Sequence, residues 1–198
     1  PFFDGIEIED SVQFHKAYDG IIDESKKQSI DLIVMGSKGT SGLEEMLVGS
    51  NTEKVVRNSE VPVLVVKSDV DHFKIENIVF ASNFEQKSKV AFQNILNFAS
   101  LFNARLHLLK INTIHNFETT KESSDAIRNF INEFDLGDYT LNIYNDISVE
   151  TGILNFATVI DADVILLNTS GRSGLAHLFT GSIGEDLANH SKLPVVTF

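Results

Sequence analysis

The chain has 198 residues, enough for one large or two small domains, and its 42% hydrophobic content is that of an ordinary globular protein. A net charge of −12 opposes nucleic-acid phosphates and anionic membranes, and no basic cluster offsets it. The absence of cysteine excludes disulfides, thiol catalysis and thiolate metal sites. No apolar stretch reaches a membrane span and no signal peptide stands at the start, which points to the cytoplasm.

The segment Pro1–Asp10 predicts irregular chain, and Val12–Phe14 a short strand. Lys16–Gln28 reads as a helix with Tyr18, Ile21, Ile22 and Ser25 on one face. Asp31–Met35 is a continuous apolar run of the kind found in a parallel strand covered on both sides. A glycine-containing loop, Gly36–Ser50, follows. Ser50 with Glu53 has capping-box spacing, so a helix is expected from Ser50 to about Ser59. Val61–Val66 is strand-like, with Pro62 tolerable near its start.

The charged stretch Lys67–Lys74 reads as a domain boundary, separating 1–68 from 72–198. Beyond it the pattern predicts strand Asn77–Ala81 and helix Ser88–Phe102, whose core face is Val90, Ala91, Ile95, Phe98, Ala99 and Phe102. Strand Arg105–Ile111, loop Asn112–Thr120, helix Lys121–Phe134 and strand Tyr139–Tyr144 come next. Helix Val149–Ile160, strand Asp163–Leu167, loop Asn168–Gly181, helix Ser182–His190 and strand Pro194–Phe198 complete the chain. Strands alternating with helices imply an α/β fold with parallel pairing and right-handed crossovers.

Displaced by 132 positions, the chain matches itself without a gap. Gly20 falls on Gly152, Asp31 on Asp163 and Gly39 on Gly171. Gly49-Ser50 falls on Gly181-Ser182, Ser59 on Ser191, and Pro62-Val63 on Pro194-Val195. The register also predicts that the first unit lacks an opening portion of about sixty residues, holding an initial strand, a first helix and a second strand. Pro1 in place of Met agrees with that expectation.

Asp31-Leu32-Ile33-Val34-Met35-Gly36, the spacing Gly36-x2-Gly39-x9-Gly49-Ser50 and the run Val61–Val66 together resemble the universal stress protein family, in its tandem form. The strand Asn77–Ala81 resembles the family's opening strand. The resemblance implies a doubly wound α/β fold with a five-stranded parallel sheet in the order 3-2-1-4-5 for the second unit. It implies a truncated copy in the first, the two being paired through their last strands, Val61–Val66 and Pro194–Phe198.

A subset of the family binds ATP, with Mg2+. The resemblance places phosphates on Gly36, Ser37 and Gly39, with Gly49, Ser50, Asn51 and Thr52 at a helix N-terminus whose dipole favours an anion. In the second unit it assigns the adenine-reading positions to Asn83 and Ile111, and the phosphate loop to Asn168, Gly171, Gly181 and Ser182. Two of these depart from the family pattern. Asn83 stands for an acidic residue and loses a charged acceptor, and Asn168 stands for a glycine and crowds a phosphate.

The loop glycines also suit plain strand-to-helix turns, and Ser50 and Ser182 suit plain helix caps. The six histidines are scattered, so no metal site is assigned. No nucleophile with an orienting base is present, so no residue is assigned to catalysis. The expected function is an adenine-nucleotide-binding regulatory module of the stress response. The alternative is a structural or dimerisation scaffold with degenerate pockets. Self-association, as a dimer or a swapped arrangement, is expected in either case.

Overall fold

Seven strands form one sheet in the order β1-β2-β7-β6-β3-β4-β5. The computed structural model describes residues 5–12, 14, 16–36, 50–66, 74–168, 191 and 193–198. In chain order its elements are α1 (Ala17–Lys27), β1 (Ile33–Gly36), α2 (Ser50–Asn58), β2 (Val63–Val66), β3 (Asn77–Ala81), α3 (Lys89–Ser100) and β4 (Arg105–Asn112). They continue with α4 (Thr120–Ile131), β5 (Tyr139–Asn145), α5 (Val149–Val159), β6 (Val164–Leu167) and β7 (Val195–Thr197). The expected helix Ser182–His190 lies outside the described residues, as does the boundary segment 67–73.

From β3 onward the strands stand in the order β5-β4-β3-β6-β7, all parallel, which is the 3-2-1-4-5 arrangement. The two last strands meet as expected: β2 pairs with β7, antiparallel. This joins both parts of the chain in one sheet.

The sequence repeat extends to the hydrogen bonds. Helices α1 and α5 match residue for residue at the displacement of 132. Each is followed by a residue in the left-handed region, Ser29 (φ 51°) and Asp161 (φ 53°), where short polar side chains are tolerated. Ile33 pairs with Val63 as Ile165 pairs with Val195. Ser59 Oγ accepts from Val61 N at 3.0 Å, and Ser191 Oγ accepts from Leu193 N at 3.0 Å.

Alternation along the strands sorts the core onto two faces. On one face α3 and α4 bury Phe92, Ile95, Ile127 and Phe130 against Phe80, Leu106, Leu108 and Leu166. On the other α5 covers Val79, Leu109 and Ile165, while α1 and α2 cover Ile33, Val63 and Val65. Phe80, Phe84, Phe92 and Phe130 pack with ring centroids 5.0–5.8 Å apart, mostly edge to face, as aromatic quadrupoles prefer.

Four local expectations are corrected. Val12 and Phe14 do not form a strand; they are exposed in irregular chain. Val90 is 85% exposed, and the buried face of α3 runs instead through Ala91, Phe92, Ile95, Leu96, Phe98 and Ala99. At 100° per residue Val90 lies beside that stripe, and the bulk of Phe92 decides which side faces the sheet.

Strand β1 is not covered on both sides: Val34 is 60% exposed, whereas its repeat counterpart Leu166 is fully buried. The Ser50–Glu53 capping box does not form. Ser50 is already the first helical residue, and the Glu53 carboxylate accepts from Arg57 at 2.6 Å. The capping box occurs at α4, where Thr119 Oγ1 accepts from Glu122 N and Glu122 accepts from Thr119 N at 2.8 Å. The spacing Thr119-x-x-Glu122 was legible as a helix start.

Candidate functional site

Parallel strands end together, so β3 and β4 bring Ala81-Ser82-Asn83 and Leu109-Lys110-Ile111 to one edge of the sheet. Here the order reverses, β4 lying on one side of β3 and β6 on the other. Open α/β sheets bind ligands outside the carboxyl ends of their strands at such a reversal. A cavity of about 150 Å3 lies at this edge, lined by these residues with Asn116, Val149 and Ile153. Asn83 and Ile111, far apart in sequence, therefore share one cavity. Apolar walls from Ile111, Val149 and Ile153 with a few polar groups suit an adenine-like ring. The volume is below the roughly 300 Å3 at which ligand pockets usually begin, so a whole nucleotide would extend beyond it.

The wall owes its shape to Gly152. A Cβ there would stand 2.8 Å from Ile111 Cγ2, so only glycine lets α5 approach β4 this closely. The chain leaves β3 through Phe84, whose φ of 58° is costly for a bulky residue. The turn is held because Phe84 is buried, its ring packs edge-on against Phe80 and Phe130, and its N–H donates to Ser82 Oγ at 3.0 Å. Strain of this kind gathers at ligand sites and switches.

Two polar side chains are directed to the protein itself. Asn83 donates to Glu85 Oε1 at 2.6 Å. Asn168, buried at the end of β6, reaches the Ser88 carbonyl at 3.4 Å, just before α3. Beneath the edge, Lys110 is buried and donates to Glu118 Oε2 at 2.6 Å. Ser123 Oγ donates to the same oxygen at 2.9 Å, and Asn112 donates to the Glu118 carbonyl at 3.1 Å. The Lys110 ammonium holds the Glu118 carboxyl below its ordinary range. This network fixes the loop between β4 and α4. Neither it nor the Gly152–Ile111 contact carries a sequence motif, although a lysine inside an otherwise apolar strand is a signal for a buried partner.

In the N-terminal segment, Gly36 ends β1 while Ser50, Asn51 and Thr52 form the first turn of α2. Thr52 Oγ1 donates to the Gly36 carbonyl at 3.1 Å, so the two ends of the glycine loop are brought together. A Cβ at Gly36 would meet nothing within 4 Å. The expected site residues Ser37, Gly39, Gly49, Gly171, Gly181 and Ser182 lie outside the described residues. Among the described residues no group of three His, Asp or Glu side chains is placed to hold a metal, and no helix is long and apolar enough to cross a membrane.

The sequence profile of the universal stress protein family matches residues 2–67 and 145–198. A universal stress protein of Methanocaldococcus jannaschii is 51% identical over 47 residues, which is 24% of this chain and 28% of that protein. One from Synechocystis is 22% identical over 180 residues, covering 88% of this chain and 60% of that protein. The chain thus spans less than two thirds of these relatives' lengths. The crystal structure of a universal stress protein from Archaeoglobus fulgidus superposes with a TM-score of 0.68 at 22% identity, over 91% of this chain and 64% of that one. That likeness speaks for the fold.

Proposed function

Because this chain belongs to the universal stress protein family, we propose that it acts in the stress response as an adenine-nucleotide-binding regulatory module in the cytoplasm, with ATP and Mg2+ as the ligand. The proposal takes the chain as two units, 1–68 and 72–198, in tandem. The observation that carries it is the cavity at the strand-order reversal, where Asn83 and Ile111 converge next to the strained Phe84 turn. Adenine would lie between Ile111 and Ile153 and meet Asn83. Phosphates would extend toward Asn168, Gly171, Gly181 and Ser182. A second phosphate cradle would form from Gly36, Ser37 and Gly39 with Gly49, Ser50, Asn51 and Thr52. The chemistry assigned is binding, not turnover. Self-association, as a dimer or a swapped arrangement, is proposed alongside.

Calorimetric titration of the chain with ATP and Mg2+ tests the nucleotide reading. Saturable binding is expected, and Asn83→Asp should tighten it about tenfold by restoring a charged acceptor. No binding at millimolar ATP sinks it. A second reading, a structural scaffold with degenerate pockets, is favoured by the inward engagement of Asn168 and the small cavity. Sedimentation with and without ATP separates the two, since a scaffold keeps one assembly state in both.

A further inference from the structure

Among the described residues that line the cavity beside β3 and β4, Ser82, Asn83, Lys110 and Asn116 carry polar side chains. The first three are engaged within the chain. Ser82 Oγ accepts from Phe84 N at 3.0 Å. Asn83 donates to Glu85 Oε1 at 2.6 Å, and its Oδ1 accepts from Glu85 N at 3.4 Å. Lys110 donates to Glu118 Oε2 at 2.6 Å. The Asn116 side chain, by contrast, has no hydrogen-bond partner among the described residues.

The backbone of Asn116 is nevertheless fixed. Its N–H donates to the Thr113 carbonyl at 3.1 Å, closing a turn that forms an isolated bridge between the two residues. Both ends of the β4–α4 loop are anchored. At its start Asn112 is buried, its carbonyl accepts from Asp146 N at 3.0 Å, and its Nδ2 donates to the Glu118 carbonyl at 3.1 Å. At its end Lys110 and Ser123 both hold the Glu118 carboxylate. A side chain carried on an anchored turn loses less freedom on binding than one on a loose loop.

The apolar walls at Ile111, Val149 and Ile153 suit a flat ring but do not tell one ring from another. A primary amide sets one donor beside one acceptor, whereas Lys110 is a donor only and Ser82 has a single hydroxyl. Adenine presents the complement of an amide, its 6-amino donor beside a ring-nitrogen acceptor. Asn83 has an amide too, but it meets a ring only by releasing Glu85.

We propose that Asn116 is the specificity-determining residue of this cavity, its amide pairing with the 6-amino group of an adenine ring and with the ring nitrogen next to it. This rests on the nucleotide reading above and narrows the ligand to a 6-aminopurine nucleotide. The discriminating contact then stands on the β4–α4 loop, in place of the end of β3.

Calorimetric titration compares ATP with purine riboside triphosphate, which lacks the 6-amino group, each with Mg2+. The parent chain should bind ATP about tenfold more tightly than the analogue. Asn116→Ala, an exposed substitution that keeps the backbone bond to Thr113, should bring the two ligands to within about twofold of each other. Asn116→Asp retains an acceptor for the 6-amino group and should retain the preference. Circular dichroism should show all three chains equally folded. Equal affinity of the parent for both ligands overturns the proposal, as does a preference that survives in Asn116→Ala or disappears in Asn116→Asp. Each of these results leaves nucleotide binding itself standing. A parent chain that does not bind ATP at all overturns both.

Discussion

Leu64 on β2 lies directly opposite Val196 on β7, and the two are counterparts 132 positions apart. Their neighbours obey the same exchange: Val63 faces Thr197 and Val65 faces Val195. A local two-fold axis therefore passes through the Leu64–Val196 pair. An antiparallel seam is the arrangement in which two copies of one strand present the same face to the core.

The seam makes the sheet one cooperative unit. Leu64→Ala should destabilise the chain by about 2–3 kcal/mol, the lower part of the range for a buried leucine. Urea denaturation followed by far-ultraviolet circular dichroism should show a single transition moved to lower urea. Two separate transitions would mean that the seam does not couple the two parts.

The Lys110–Glu118 pair carries a directional prediction. Glu118→Gln leaves a buried ammonium short of its charge partner and should cost roughly 1–3 kcal/mol, discounted because Glu118 is partly exposed. Adding Lys110→Met should recover most of the loss. The folded Glu118 carboxyl is held below its ordinary value of 4.5, so its stabilisation is complete above that pH and is lost as pH falls through the lower folded value. Chemical denaturation at pH 4.5 and 3 should show a smaller loss of stability between these two values in the double variant than in the parent.

His107 gives a second pH signature in a different window. Its ring sits between Thr140 Oγ1 at 2.8 Å and Asn77 Oδ1 at 3.3 Å. Burial, assisted by Arg105, holds the imidazole below its ordinary value of 6.5. The unfolded chain thus takes up this proton first on acidification. Stability is complete above pH 6.5 and declines as pH falls toward the folded value. Urea midpoints between pH 7.5 and 5 should drop in the parent, and His107→Gln should flatten that drop.

Gly152 links packing to binding. Gly152→Ala should cost about 1–3 kcal/mol through overpacking against Ile111. It should also narrow the cavity by pushing Ile111 toward Asn83. If ATP binds there, its affinity should fall at least tenfold while the chain remains folded. Unchanged affinity in a folded Gly152→Ala chain would place the ligand elsewhere.

Much of the fold is readable along the chain because its signals are local. Apolar runs such as Asn77–Ala81 and the helical pattern of Val149–Val159 need only neighbours to be recognised. Val90 is misread because periodicity alone does not weigh Phe92 against it, and Ser50 because a capping pattern does not say which residue stands first. Among the residues that line the cavity, Asn83 and Ile111 are the two that the family resemblance names. Lys110 with Glu118, Gly152 with Ile111 and Asn168 with Ser88 are pairings made by chain crossovers, with no short spacing to betray them.

By itself the sequence determined the alternation of strands and helices, the family, and an internal copy at 132 positions, since all three are properties of order along the chain. Only the tertiary structure decided that the copies meet as Leu64 against Val196, that Asn168 turns inward, and that Val34 is exposed where its counterpart Leu166 is buried. Those outcomes depend on which surfaces are buried together, and burial is a property of the assembled sheet, not of any single segment.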